Sequence, residues 1–111
     1  MRSRALGTLE LNVLLAVARL SSEAYGLAIR RDVSSRLKHD YSVGAIYTTL
    51  ERLVDKGLVS SRTTEPTPKR GGRSRRQFTV TTAGREAIRH AQQIAASAWH
   101  GVGTLIAPEP S

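Results

Sequence analysis

The stretch SVGAIYTTLERLVDKGLV, residues 42–59, has the pattern of an amphipathic helix that runs into a strand. Ser42 is a natural N-cap, and Gly57 suits the position just past a helix C-terminus. The apolar residues between them recur at the spacing of one buried helix face: Val43, Ile46, Leu50, Leu53 and Val54. The pattern predicts a helix over Val43–Lys56 and a strand over 58–63.

The opposite face of this predicted helix is small and polar, which suits insertion into a DNA groove. It presents Ala45, Thr48, Thr49 and Arg52. The major groove of B-DNA is about 12 Å wide and admits a helix whose exposed side chains are short. Threonine hydroxyls can bond to bases or phosphates, and an arginine can reach a guanine edge. A solvent-facing helix surface can have the same composition, so the helix alone leaves both interpretations open.

A cationic hairpin follows the helix. Residues 62–76 contain a single acid, Glu65, and six of the chain's 17 basic residues: Arg62, Lys69, Arg70, Arg73, Arg75 and Arg76. Prolines and glycines break the regular structure in this segment, and a second strand is predicted over 77–80. So much positive charge repels itself unless a polyanion lies beside it. A solvated loop is the alternative interpretation.

The rest of the chain supplies more helices. Apolar spacing predicts helices over about 6–20 and 24–38, the second with Leu27, Ile29, Val33 and Leu37 facing inward. Thr81 is a natural cap for a helix over 82–107. The element order predicts a mainly α fold with a small β-hairpin, a winged helix-turn-helix with an added helix. The predicted units are a DNA-binding domain over 1–81, a C-terminal dimerisation helix over 82–107 and a flexible tail over 108–111.

The predicted closing helix is too long for so small a domain to cover. About 26 residues of helix span about 39 Å. Small residues on its apolar face suit close contact with a second copy of the chain. Packing of part of this face against the first helix is the alternative. The expected interface residues are Ile88, Ala91, Ala95, Ala98, Trp99, Val102 and Leu105. Trp99 is interpreted as a packing anchor, with a wall for a small planar aromatic effector as the alternative.

Charge and composition narrow the function classes. The formal net charge is +8 and the pI is about 11.1, as is typical of a nucleic-acid-binding domain. The absence of cysteine excludes disulfides and thiolate metal sites. The histidines lack metal-ligand spacing and no catalytic motif is present, so no enzyme activity, metal or cofactor is expected. No apolar run is long enough to span a membrane, and no signal peptide is recognised, so a cytoplasmic location is expected.

Residues 42–59 resemble the recognition-helix signature of the PadR family of transcription regulators. The family pattern runs Ser-x-Gly-Thr-Leu-Tyr-Pro-x-Leu-x-Arg-Leu, followed by Gly-Leu-Ile/Val. Further similarity is found at Leu6-Gly7, Leu9-Glu10-Leu11, Tyr25-Gly26 with Ile29, Gly71-Gly72-Arg73, Arg75-Arg76 and Val80-Thr81-x-x-Gly84-Arg85. The chain departs from the pattern at Ala45 and Thr48, on the presumed DNA face. The operator of a relative is therefore not expected to transfer.

The resemblance implies a homodimeric regulator of double-stranded DNA, usually a repressor, of the short subfamily with one C-terminal helix. The expected DNA-binding residues are Ser42, Gly44, Ala45, Tyr47, Thr48, Thr49 and Arg52 on the helix, with Lys69, Arg70, Arg73, Arg75 and Arg76 on the wing. Two alternatives stay open. One is a winged helix whose wing meets an acidic protein partner, and the other is a sequence-neutral architectural DNA binder.

Overall fold

The computed structural model describes residues 6–64 and 75–103, which form helices and one antiparallel hairpin. The elements along the chain are α1 (Thr8–Leu20), a 3₁₀ turn (Ser21–Glu23), α2 (Gly26–Leu37), α3 (Val43–Asp55), β1 (Val59–Thr64), β2 (Arg75–Val80) and α4 (Thr82–Trp99). The prediction of a mainly α fold with a small hairpin is confirmed.

The core is aliphatic and surrounds a single phenylalanine. Helix α1 lies at its centre and packs against α2, α3, β2 and α4. The largest fully buried side chains are Val13, Leu14, Val17, Ile29, Val33, Ile46, Leu50, Leu53, Val59 and Phe78. Burial of one such side chain contributes about 1.5–3 kcal/mol. The apolar faces of α1, α2 and α3 therefore all pack into one core.

The hairpin is bonded to the turn between α1 and α2 as well as to itself. Its register pairs Val59 with Val80. The Phe78 amide donates to the Ala24 carbonyl at 2.9 Å, and the Gln77 amide nitrogen donates to the Ser22 carbonyl at 2.7 Å. Strand β2 starts at residue 75, two residues before the predicted strand. The base of the wing is thus part of the folded body.

The closing helix is shorter than predicted. It ends at Trp99, and the prediction that it continues to residue 107 is wrong. His100 has ψ 124°, outside the helical range, and Gly101 follows with φ +77°, a left-handed conformation that glycine adopts readily. The apolar spacing continues to Leu105, so it gives no sign that the helix ends at Trp99. Leu105 and the predicted 108–111 tail lie outside the described residues.

Two apolar residues assigned to the core by spacing are exposed instead. Leu27 is 55% exposed and Val43 is 44% exposed. Each lies in the first turn of its helix, beyond the edge of the buried cluster. Leu27 is also two residues before the buried Ile29, which places the two side chains on opposite sides of α2.

Two ion pairs join α1 to its neighbours. The Lys56 ammonium lies 2.8 Å from Oε2 of Glu10, and its hydrogen bond holds the pKa of Glu10 below the ordinary value. At the other end of α1, Arg19 donates to Asp32 on α2 and lowers the pKa of that carboxyl. Both carboxylates therefore stabilise the fold in their ionised form.

We predict that Glu10→Gln reduces the acid sensitivity of the fold. A carboxyl whose pKa is lowered by folding contributes stability at neutral pH, and that contribution is lost as the pH falls from about 5 through the lowered pKa. Urea unfolding of the variant should therefore show a smaller stability loss between pH 7 and pH 3, by up to about 1 kcal/mol for a partly solvated pair. Glu23→Gln, at an exposed acid, should follow the wild type. Equal pH dependence in all three proteins would contradict this role for Glu10.

The start of α4 lies directly on the turn between α3 and β1. The Thr81 hydroxyl accepts from the Gly84 amide at 3.0 Å and donates to the Gly57 carbonyl at 2.7 Å. The Thr81 amide donates to the Leu58 carbonyl at 3.0 Å. A Cβ at Gly84 would lie 2.1 Å from that same carbonyl oxygen. Only glycine permits this approach.

Gly84→Ala should destabilise the protein by about 1–3 kcal/mol, as expected for overpacking against backbone. Gly44→Ala is the matched control, because a Cβ at this helical glycine meets no atom within 4 Å. The control should leave stability unchanged or raise it by up to about 1 kcal/mol. Urea midpoints measure both changes. If the two variants were equally stable, the close contact at Gly84 would be refuted.

Candidate nucleic-acid interface

The solvent-facing side of α3 forms the first half of the site. Its exposed residues are Val43, Gly44, Thr48, Glu51, Arg52 and Asp55. Ser42 caps the helix, and its hydroxyl accepts from the Ala45 amide at 3.0 Å. The exposed face thus carries short side chains in the first two turns and longer charged ones in the last two. Ala45 is half-buried at its margin.

Thr49 is not on this face. It is only 4% exposed, and its hydroxyl donates to the Ala45 carbonyl at 2.8 Å. The prediction that it faces outward is wrong. Thr49 lies four residues before Leu53, so the two side chains project toward the same, buried side of the helix. A threonine hydroxyl can be buried there because it bonds to the carbonyl one turn earlier.

Tyr47 packs at the edge of the core. Its ring centre lies 6.4 Å from that of Phe78 in an edge-to-face arrangement. A Cβ built on Gly26 would lie 2.1 Å from the Tyr47 hydroxyl oxygen, so this hydroxyl lies against the first turn of α2. Tyr47 therefore connects α3 to the start of α2, and its ring is half-buried.

Glu51, which the sequence pattern did not single out, occupies the middle of the exposed face. It lies three residues after Thr48 and seven after Gly44, the spacing that identifies one side of a helix. Nη1 of Arg76 donates to Oε1 of Glu51, and Nη2 of Arg76 donates to the Ser61 hydroxyl at 2.9 Å. An ion pair thus joins α3 to β2 on the outer surface.

The other described wing arginines also contact their own fold. The Arg75 guanidinium lies 3.8 Å from the ring centre of Tyr25, and Nε of Arg62 donates to Oε1 of Gln77 at 3.0 Å. Arg75 and Arg76 belong to strand β2, whereas the sequence pattern predicts a strand that starts only at residue 77. Lys69, Arg70 and Arg73 lie outside the described residues.

A second surface extends along α4. The face that begins with Ala87 and Ile88 packs against the core. The same face continues through Ala91, Ala95 and Ala98, of which the last two are exposed. Ile94 is 56% exposed and Trp99 is 64% exposed. Val102 is half-buried just beyond the helix end. No residue in 6–64 or 75–103 covers Ile94 and Trp99 fully.

Other kinds of site find no support in the part of the chain that the structure describes. Residues 6–64 and 75–103 contain no group of three His, Asp or Glu side chains that could hold a metal ion. None of the helices in these ranges is both long and apolar enough to cross a membrane.

Comparison with known proteins identifies relatives. The family model for the "Transcriptional regulator PadR-like family" matches residues 14–90, more than half of the chain. A PadR-like transcriptional regulator from Bacillus cereus is 22% identical, with a TM-score of 0.72, and the match covers 93% of this chain and 95% of that one. No curated protein sequence matches.

Two further solved structures share the fold. A PadR-like transcription factor from Bacteroides fragilis is 23% identical with a TM-score of 0.71, over 89% of this chain and 90% of that one. RosR from H. salinarum is 23% identical with a TM-score of 0.68, and the match covers 97% of this chain and 84% of that one. Residues 14–90 include all of α2, α3 and both strands, so the family match covers the described part of the interface.

The two neighbouring threonines of α3 should separate stability from recognition. Thr48→Ala removes an exposed side chain, so it should leave the urea midpoint unchanged. It should narrow the affinity gap between a duplex selected by the wild type and a random duplex, by about 1–3 kcal/mol per lost base contact. Thr49→Ala removes a buried methyl and a hydrogen bond, so it should lower stability by about 1 kcal/mol. A specificity loss confined to Thr49→Ala would refute this assignment of the two residues.

Proposed function

This chain belongs to the PadR-like family of transcriptional regulators, and from that premise we propose that it is a homodimeric, sequence-specific repressor. The family consists of DNA-binding regulators and not of enzymes. The proposal rests above all on one observation: the exposed side of α3 and the base of the cationic wing lie beside each other and are joined by Arg76 and Glu51. A helix and a hairpin in this arrangement can contact one groove and the adjacent phosphates together.

The first support for DNA as the ligand is the shape of α3. Gly44 and Thr48 present little bulk in the first turns, so a groove wall can approach the backbone there. Arg52 is exposed one turn further on and carries the donors that guanine edges and phosphates accept. Lys69, Arg70 and Arg73 are proposed to contact phosphates from the wing, with Arg75 and Arg76 at its base.

The second support concerns a partner copy. The apolar face of α4 is covered by the core at Ile88 and continues uncovered to Ile94, Ala98 and Trp99. We propose that a second copy covers this part. Helix-turn-helix dimers place two recognition helices about 34–36 Å apart, on successive turns of the same DNA face. A dimer through α4 would supply the second helix that such a site requires.

Repression follows from occupancy. A dimer that covers two half-sites of a promoter excludes other proteins from the same stretch of DNA. We propose that a small planar aromatic effector relieves this repression, and that Trp99 at the α4 contact is where it would stack. The proposed location is the cytoplasm.

A single substitution pair tests the dimer. Ala98→Glu places a charge on the part of α4 that the second copy is proposed to cover. Burial of an unpaired charge in that contact would be strongly unfavourable. Ala96→Glu is the matched control, because it makes the same change on the opposite side of the helix, where Ala96 is exposed. Sedimentation should show a dimer for the wild type and the control, and a monomer for Ala98→Glu. A dimer in all three proteins would contradict the assignment.

The same variants test the link to DNA. Loss of the second half-site should weaken binding of Ala98→Glu to a selected duplex by at least about 100-fold, since each half-site contributes several kcal/mol. Emission of Trp99, the single tryptophan, reports whether the α4 contact forms and whether a planar aromatic compound quenches it. Failure of the wild type to retain random duplex at low salt would favour an acidic protein partner. Retention without preference for any sequence would favour an architectural role.

A further inference from the structure

The Glu51–Arg76 pair joins α3 to β2 on the outer surface. We propose that Glu51 is a specificity-determining residue whose carboxylate accepts a hydrogen bond from the exocyclic amino group of a cytosine in each half-site, and that Arg76 is the positioning residue for that carboxylate. The proposal rests on the proposed function of sequence-specific DNA binding. It goes further by naming the base that Glu51 recognises.

Placement is the first step. Glu51 is on the side of α3 that carries Gly44 and Thr48, and its side chain is 49% exposed. A Cβ added at Gly44 would meet no atom within 4 Å, so the space over the first turns of this side is open in the described fold. A groove that receives Thr48 would therefore also meet Glu51, one turn further along.

The chemistry of a carboxylate is the second step. An ionised carboxylate only accepts hydrogen bonds. In the major groove, guanine presents the acceptors N7 and O6, thymine presents O4, and cytosine presents the N4 amino donor. Adenine has a donor too, but its N7 acceptor lies beside it and repels a second negative oxygen. A carboxylate at this position therefore favours cytosine over the other three bases.

The third step is how an acid can lie beside a polyanion. An uncompensated carboxylate would be repelled by the phosphates, whereas Arg76 supplies a positive charge in direct contact with it. The Arg76 guanidinium is itself held by the Ser61 hydroxyl and lies 5.0 Å from the ring centre of Phe78. Its position is thus tied to the core, and the position of Glu51 is tied to Arg76.

The fourth step concerns the second oxygen. Arg76 occupies Oε1 of Glu51, and no donor within residues 6–64 or 75–103 reaches Oε2. The carboxylate is therefore oriented through one oxygen, while no residue of the described ranges takes up the lone pairs of the other. Asp55 lies on the same side of α3 and has no such partner among the described residues, so it lacks the orienting contact.

Selection of bound duplexes from a random pool tests the proposal with wild type, Glu51→Gln and the control Glu86→Gln, at an exposed acid on α4 outside the candidate interface. The wild type should enrich cytosine at one position of each half-site. At that position C·G should be favoured over T·A by about fivefold or more. Glu51→Gln should lose this preference and move toward adenine, because a carboxamide both donates and accepts. Glu86→Gln removes the same charge from a residue that lies off the α3 face and should keep the cytosine preference.

Arg76→Met tests the positioning role separately. It should weaken the cytosine preference although Glu51 is still present, and circular dichroism should confirm that the variant is folded. An unchanged preference would remove Arg76 from the proposal. If Glu51→Gln instead raised affinity for every duplex equally, Glu51 would act by repulsion alone and the proposal would be overturned. A wild type that binds no duplex would refute the proposed function itself, a result distinct from an unaltered base preference.

Discussion

The packing of one side of α3 into the core determines what its other side can present. Ile46, Leu50 and Leu53 are fully buried, and at 3.6 residues per turn they fix the rotation of the helix about its axis. The residues left facing solvent follow from that rotation, with Thr48 and Glu51 among them. Core packing thus sets the chemistry of the proposed DNA face, since a rotated helix would expose a different set of side chains.

The base of the wing is held by the same core. The Phe78 ring is buried, and its amide bonds to the Ala24 carbonyl between α1 and α2. Arg76 then reaches from β2 to Glu51 on α3. Helix α3 and the base of the wing are therefore fixed relative to each other before any ligand arrives. Preorganisation of this kind removes part of the ordering cost of binding and leaves more of the contact energy as affinity.

Short-range sequence patterns were sufficient to predict the helices and the hairpin. Contacts between residues far apart in the sequence could not be predicted from them. The buried stripe of α3, its Ser42 cap and the hairpin after Gly57 all follow from spacing and turn chemistry. Thr49 was misplaced because a small polar residue at the edge of a helix face suits either side. The Glu51–Arg76 pair joins residues 25 positions apart. The spacing of apolar and polar residues along the chain does not predict a contact of this kind. Glu51 itself could have been found, because it continues the Thr48 side of the helix.

The junction at Gly84 connects the proposed dimer contact to the proposed DNA contact. The first turn of α4 touches the Leu58 carbonyl, and Thr81 bonds to Gly57 at the end of α3. With no room for a Cβ between them, the start of α4 cannot shift without moving the end of α3. In a dimer formed through α4, the crossing of the two α4 helices would therefore set the spacing of the two α3 helices. A ligand that altered this crossing at Trp99 would change DNA affinity without touching the DNA face.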